Sequence, residues 1–260
     1  MIEIMVKQNV AYLEEYPCDG SPKGAVVICP GGGYSFVSPR EAEPVAKAYN
    51  RYGFHAFVLT YETKKEVLGD LPLRQLASAV KYVRDHRKEY DLDQKKIVVL
   101  GFSAGGHLAG SLGILWNRPE YFEEGADLQA HKPDGMILCY PVVTAGEAAH
   151  RGSMERLAGK DREKQERYSL EKLVDKTAVP AFIWGTVSDD AVPVDNSLLL
   201  LEKFTKVRRP VEYHLYPYGV HGLSLATEEV QELEEHRYPD PHVARWLEES
   251  VHWLEEVIIE

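Results

Sequence analysis

The sequence predicts an α/β domain: a mostly parallel, doubly wound sheet with helices on both faces. Three observations predict it. Short apolar runs alternate along the chain with longer amphipathic stretches, the pattern of repeated strand–helix–strand units. Most of the runs are continuous and rich in β-branched residues, as strands covered on both faces are. The 260 residues, 44% hydrophobic and 27% charged, suffice for one such domain with a large core.

The clear strands are Ala25 to Cys29 (AVVIC), Phe54 to Thr60 (FHAFVLT), Ile97 to Leu100 (IVVL), Met136 to Cys139 (MILC), Ala181 to Trp184 (AFIW) and Val211 to Tyr216 (VEYHLY). Between the first two, Ser38-Pro39-Arg40-Glu41 reads as a capping box with proline at the first helical position. Ala42, Val45, Ala46, Tyr49 and Tyr52 follow at helical spacing, and Gly53 is placed to close that helix. Further helices are expected over Leu71 to His86, Asn196 to Phe204 and about His242 to Ile258. Right-handed crossovers between such elements give the doubly wound sheet.

One stretch breaks the rhythm. From about Thr144 to Lys176 the chain is charged and has no strand-like run, although it lies between two core strands. Two readings stand: a small cap or lid over the C-terminal edge of the sheet, or a solvated helix pair in an ordinary crossover. Either way, residues 1–260 read as a single domain.

The net charge of −11 argues against nucleic acid and against anionic membrane surfaces as partners. No apolar stretch approaches the ~20 residues of a membrane span. The N-terminal MIEIMVKQNV lacks the basic start and long apolar run of a signal peptide. Cys18, Cys29 and Cys139 are an odd set, which fits reduced thiols in the cytoplasm, with Cys29 and Cys139 in apolar runs as core residues. No H-x-x-x-H or C-x-x-C pairing suggests a metal, and no cofactor motif is present: the glycine-rich segments spell neither G-x-x-x-x-G-K-[ST] nor G-x-G-x-x-G. The oligomeric state is left open, a homodimer included.

The chemistry is concentrated in four loops that follow strands. IVVL runs into Gly101-Phe102-Ser103-Ala104-Gly105, a G-x-S-x-G match, and a helical pattern follows. A serine on so tight a turn stands above the sheet, and glycines on either side remove the Cβ atoms that would clash where strand and helix pass. The helix after Ser103 aims its first N–H groups at an oxyanion forming there. Upstream, AVVIC is followed by Pro30-Gly31-Gly32-Gly33-Tyr34, where consecutive glycines let main-chain N–H groups approach a ligand. Such a loop supplies one or two oxyanion donors, and the residue after the nucleophile, here Ala104, supplies another.

With Ser103 as nucleophile, the remaining members of a triad are expected in the order acid, then histidine. AFIW leads into GTVSDDAVPVDNS. A carboxylate just past a strand's C-terminal end is where ligand-facing groups collect in open α/β sheets. Asp189 is preferred for its spacing to Val192-Pro193. Asp190 is the alternative, with helix capping near Pro193 as its other role. VEYHLY leads into Pro217-Tyr218-Gly219-Val220-His221-Gly222, and of ten histidines only His221 combines the order, a loop and flanking glycines. His107 lies in the helix after Ser103 and reads as structural, and His55 and His214 lie within strands. Tyr34, Phe36, Phe102 and Tyr218 are aromatic residues near these loops that would either pack against a bound ligand or fill the core, the latter above all for Phe102.

PGGGY, GFSAGGHLAG, DDAVPVDNS and GVHGLSLA together resemble the serine esterases of the α/β-hydrolase superfamily related to hormone-sensitive lipase, and among them the acetyl-xylan-esterase-like or feruloyl-esterase-like proteins. The likeness runs from about Gly24 to Trp253 and takes in HRGSMERLAG and PHVARWLEE. It implies the α/β-hydrolase fold and hydrolysis of short acyl esters on small molecules, often acetyl groups on sugars. Carried over by position, Gly32 and Gly33 join Ala104 in the oxyanion hole. One departure is Pro30, where related lipases carry a histidine before the glycines. An exopeptidase or amidase on the same residues is the alternative function, and a non-catalytic binding protein a further one. A lipase on bulk lipid would want a large apolar lid, and the Thr144 to Lys176 stretch is charged.

Overall fold

The computed structural model describes residues 1–92 and 95–259. The chain opens with an antiparallel hairpin, β1 (Ile2–Val6) and β2 (Asn9–Tyr16), which sequence reading did not find. The reason is visible in its burial. Only alternate residues such as Ile4, Val6, Ala11 and Leu13 face the core, and the turn at Lys7 takes a φ of 54° without a glycine to mark it.

The expected strands follow: β3 (Gly24–Cys29), β4 (Phe54–Thr60), β5 (Ile97–Phe102), β6 (Gly135–Cys139), β7 (Ala181–Thr186) and β8 (Val211–Tyr216). Among the described residues they form one eight-stranded sheet in the order β1-β2-β4-β3-β5-β6-β7-β8. β2 runs antiparallel to β4, and every pairing from β4 to β8 is parallel. All residues of β3, β5, β6 and β7 are buried, which is why they read as unbroken apolar runs. This is the α/β-hydrolase fold.

Helices cover both faces. α1 (Glu43–Arg51) and α7 (Trp246–Trp253) pack on one side, with α7 running on as π-helix through Leu254–Ile259. α2 (Leu71–Asp85), α3 (Ala104–Leu115) and α6 (Asp195–Lys206) pack on the other. Helix α3 is buried along its whole length, so its glycines are packing choices: a Cβ on Gly113 would lie 2.5 Å from Met136 Sδ. No helix among the described residues is long and apolar enough to cross a membrane.

The capping box at Ser38 is corrected. Pro39–Glu41 is a single 3₁₀ turn, Ser38 makes no side-chain cap, and α1 begins only at Glu43. Glu41 turns inward and is 3% exposed. Gly53 does end the first helix, at φ 84°, as expected.

The stretch from Thr144 to Lys176 carries two short helices, α4 (Arg151–Ala158) and α5 (Arg162–Glu166). It is sewn to the loops leaving β3 and β4. The Arg156 guanidinium donates to the carbonyls of Tyr34, Thr63 and Glu66, and the Arg156 and Leu157 carbonyls accept the N–H groups of Leu68 and Gly69. Leu157 and Leu170 enter the core. The charge that broke the hydropathy pattern therefore sits on one side of a segment whose other side is packed.

Candidate active site

The tightness of the turn after β5 is set by its glycines. A Cβ on Gly101 would lie 2.0 Å from the Gly105 carbonyl oxygen, and one on Gly105 would lie 2.0 Å from that of Cys29. Backbone passes backbone there with no room for a side chain. Ser103, between them, is held at φ 54° and ψ −117°, a conformation L-residues rarely adopt. Its N–H donates to the Cys139 carbonyl at 2.9 Å, and its own carbonyl accepts from Val142 and His107, both at 3.0 Å. Three neighbouring segments thus fix the strained residue.

The loops after β7 and β8 meet above it. The Ser103 hydroxyl lies 2.8 Å from His221 Nε2, and His221 Nδ1 lies 2.8 Å from Asp189 Oδ2. A carboxylate only accepts, so Nδ1 carries the proton and Nε2 is left free to accept from the serine. The Asp189 side chain is 3% exposed, and its second oxygen accepts from the N–H groups of Ala191 (3.0 Å) and Val192 (2.7 Å). Asp190 does not cap α6: its Oδ1 accepts the main-chain N–H of His221 at 2.9 Å. The adjacent acids both hold the histidine, one by its ring and one by its backbone. Arg237 Nε donates to the His221 carbonyl at 2.9 Å, and the Tyr140 ring stands edge-on to the imidazole at 5.1 Å.

The glycine loop is divided by Glu41. Gly31 N–H donates to Glu41 Oε2 at 2.7 Å and is thereby used. The N–H groups of Gly32, Gly33 and Ala104 donate to no protein acceptor among the described residues. Gly32 and Gly33 sit at φ 129° and 62°, and a Cβ on Gly32 would fall 2.2 Å from the Phe36 carbonyl oxygen. The other carboxylate oxygen of Glu41 accepts from Tyr140 Oη at 2.6 Å, and that hydroxyl accepts from Ser224 N–H at 2.9 Å. One buried carboxylate therefore ties the glycine loop to the segment just past His221. Burial beside Glu41 pushes the Tyr140 hydroxyl well above its ordinary pKa. The spacing of Glu41 from Ser38 fits a helix cap, which hides this role in the sequence.

A cleft of about 450 Å³ opens over Ser103, lined by Gly32, Gly33, Phe36, Arg40, His150 and Arg237 among others. Of the aromatic residues singled out from sequence, only Phe36 faces it, 59% exposed. Tyr34 and Phe102 are buried, and Tyr218 is exposed away from the cleft. His107 is indeed structural: Nε2 donates to the Tyr168 carbonyl at 2.8 Å and Nδ1 accepts from Tyr34 Oη at 2.9 Å. Burial brings its pKa down to about 4. Cys29 and Cys139 are fully buried free thiols. No group of three or more metal-ligating side chains is assembled among the described residues.

A model of the BD-FAE family matches residues 16–204. Endo-1,4-beta-xylanase B of Butyrivibrio fibrisolvens is 37% identical over 229 residues, covering 84% of this chain and 35% of that protein. Acetylxylan esterase of Xylanibacter ruminicola is 28% identical over 230 residues, covering 85% of this chain and 44% of that protein. The chain thus spans less than half the length of these curated relatives. Among solved structures, the acetyl ester-xyloside bifunctional hydrolase of Caldicellulosiruptor lactoaceticus superposes with a TM-score of 0.83 at 33% identity, covering 96% of this chain and 89% of that one. On the extent of the family match, the chain belongs to the BD-FAE family of α/β-hydrolases.

Proposed function

We propose that the protein is a serine esterase that hydrolyses short-chain carboxylic esters, acetylated sugars among them. The observation that carries the reading is the unbroken line from Asp189 through His221 to a strained Ser103 at the floor of an open cleft. His221 Nε2 takes the hydroxyl proton as Ser103 Oγ attacks the ester carbonyl carbon. Asp189 holds the imidazole in the accepting tautomer and stabilises the imidazolium. The oxyanion is held by the N–H groups of Gly32, Gly33 and Ala104. Collapse expels the alcohol, which leaves with the proton from His221. Water, deprotonated by the same nitrogen, then releases the acid from the acyl-enzyme.

The cleft supports a short acyl group and a polar alcohol. Its lining is rich in hydrogen-bonding side chains (Ser35, Ser38, Arg40, His150, Glu232, Arg237) and offers one exposed aromatic ring, Phe36. The segment from Thr144 to Lys176 serves as a small cap, since it brings His150 to the cleft and is pinned to the loops leaving β3 and β4. The free thiols of Cys29 and Cys139 fit a cytoplasmic setting. The test is a series of p-nitrophenyl acetate, butyrate and octanoate, with acetate release from acetylated xylose alongside. Highest kcat/KM on acetate, falling with chain length, is the expected result. A maximum at octanoate would contradict the short-acyl reading.

A further inference from the structure

His150 is the first residue before α4 and was assigned no role from sequence. Its ring does two things at once. Nδ1 accepts the Ser153 N–H at 3.3 Å, capping the helix, and lies 2.8 Å from the Ser153 hydroxyl. Because Nδ1 is an acceptor, the proton of the neutral ring sits on Nε2. Burial, together with nearby His221, lowers the pKa of His150 below its usual value, so the neutral form prevails at pH 7. Among the described residues Nε2 has no protein partner, and it is not among the sealed, unsatisfied polar atoms. The ring lines the same cleft as Ser103 and His221, and its Cε1 is 3.7 Å from where a Cβ on Gly33 would stand.

A polar N–H is thus held rigidly at the cleft wall beside the oxyanion loop. An acetyl group offers one acceptor, its carbonyl oxygen, and main-chain donors from Gly32, Gly33 and Ala104 are there to take it. A further side-chain donor has its use on the alcohol portion. We propose that His150 is a specificity-determining residue whose Nε2–H donates to an oxygen of the sugar next to the esterified hydroxyl. This rests on the esterase reading and deepens it: the cleft distinguishes polyol esters from simple aryl or alkyl esters through a fixed donor in its cap segment. The expected discrimination from this residue is roughly tenfold, about 1.4 kcal/mol, which is within the range of a single neutral hydrogen bond.

The variant that tests it is His150→Asn, because asparagine keeps the helix cap while removing the imidazole N–H. Wild type and variant are compared on a mono-O-acetylated methyl β-xyloside, on its analogue lacking the neighbouring hydroxyl, and on p-nitrophenyl acetate, with Tm measured in parallel. The expected result is a roughly tenfold loss of kcat/KM on the xyloside acetate, carried mainly by KM, as for a bond made equally in ground and transition states. p-Nitrophenyl acetate should change by less than about twofold, and the variant should cease to distinguish the xyloside from its deoxy analogue. Equal losses on all three esters would overturn the proposal by assigning His150 to the carbonyl oxygen or to the fold. No loss on any would reduce it to a helix cap. Wild type that cleaves p-nitrophenyl acetate but not the xyloside acetate would likewise overturn it. Wild type inert on all esters would instead bring down the esterase reading itself, before the variant is considered.

Discussion

Glu41 accepts the Gly31 N–H at 2.7 Å, so this N–H of the glycine loop is already used, while those of Gly32 and Gly33 donate to no protein acceptor among the described residues. The same carboxylate accepts from Tyr140, whose hydroxyl in turn accepts from Ser224. Glu41→Gln keeps the volume but leaves one acceptor oxygen where two are needed. One buried donor is then unsatisfied, at a cost of about 1–3 kcal/mol. A lower Tm and a roughly tenfold fall in kcat, with KM little changed, are expected, since misplacement of the oxyanion loop acts on the transition state. Full activity in a correctly folded Glu41→Gln protein would remove the residue from this role.

Asp189 and Asp190 are neighbours with different work. Asp189→Asn puts an amide against His221 Nδ1 and favours the wrong tautomer; the equivalent change in a serine protease costs about 10⁴ in kcat. Asp190→Asn keeps an oxygen able to accept the His221 N–H, so kcat should stay within about threefold. Steady-state kinetics on p-nitrophenyl acetate checks both. Similar losses in the two variants would mean that the backbone bond to Asp190 orders the loop as much as the ring bond to Asp189.

Gly105 has no room for a methyl group, because the intruding atom would meet backbone rather than a side chain that can turn away. Gly105→Ala should destabilise the protein by at least about 3 kcal/mol or prevent folding, read from urea unfolding or soluble yield. Gly69→Ala is the control. Gly69 has a φ of 58° but nothing within 4 Å of its Cβ position, so only the strain of about 1–2 kcal/mol is expected.

His107 makes stability fall on the acid side of neutrality. Its folded pKa, about 4, lies below the ordinary 6.5, so the unfolded chain binds the extra proton first. The stability is whole above pH 6.5 and is lost as pH falls toward about 4, the part due to His107 amounting to about 2 kcal/mol at pH 5. Urea unfolding at pH 7 and pH 5 should show a smaller loss in His107→Gln than in wild type. An equal loss would place the acid sensitivity elsewhere.

The parallel strands β3 to β7 were legible because burial on both faces leaves nearly unbroken apolar runs such as AVVIC and IVVL, whereas β8 is only partly buried and its run is broken by Glu212 and His214. The hairpin from Ile2 to Tyr16 was not, because an edge hairpin buries alternate residues and its Lys7 turn carries no glycine. Ser103, Asp189 and His221 were legible as candidates because each stands at a fixed place after a strand, where the fold leaves little choice. Glu41 and His150 were not. Glu41 stands three residues after a serine and mimics a cap, whereas its partners Gly31 and Tyr140 are distant in the chain. His150 lies in a charged stretch whose packing against the Tyr34 and Thr63 loops leaves no periodic trace.

The role of Ser103 as nucleophile is tested by the hydrolysis of p-nitrophenyl acetate by wild type and Ser103→Ala at equal concentration and equal fold. Turnover by wild type and a loss of several orders of magnitude in the variant are expected; removal of a serine nucleophile has cost about 10⁶ in kcat elsewhere. Equal rates in the two proteins would contradict that role, because the aligned Asp189, His221 and Ser103 would then be idle in ester hydrolysis.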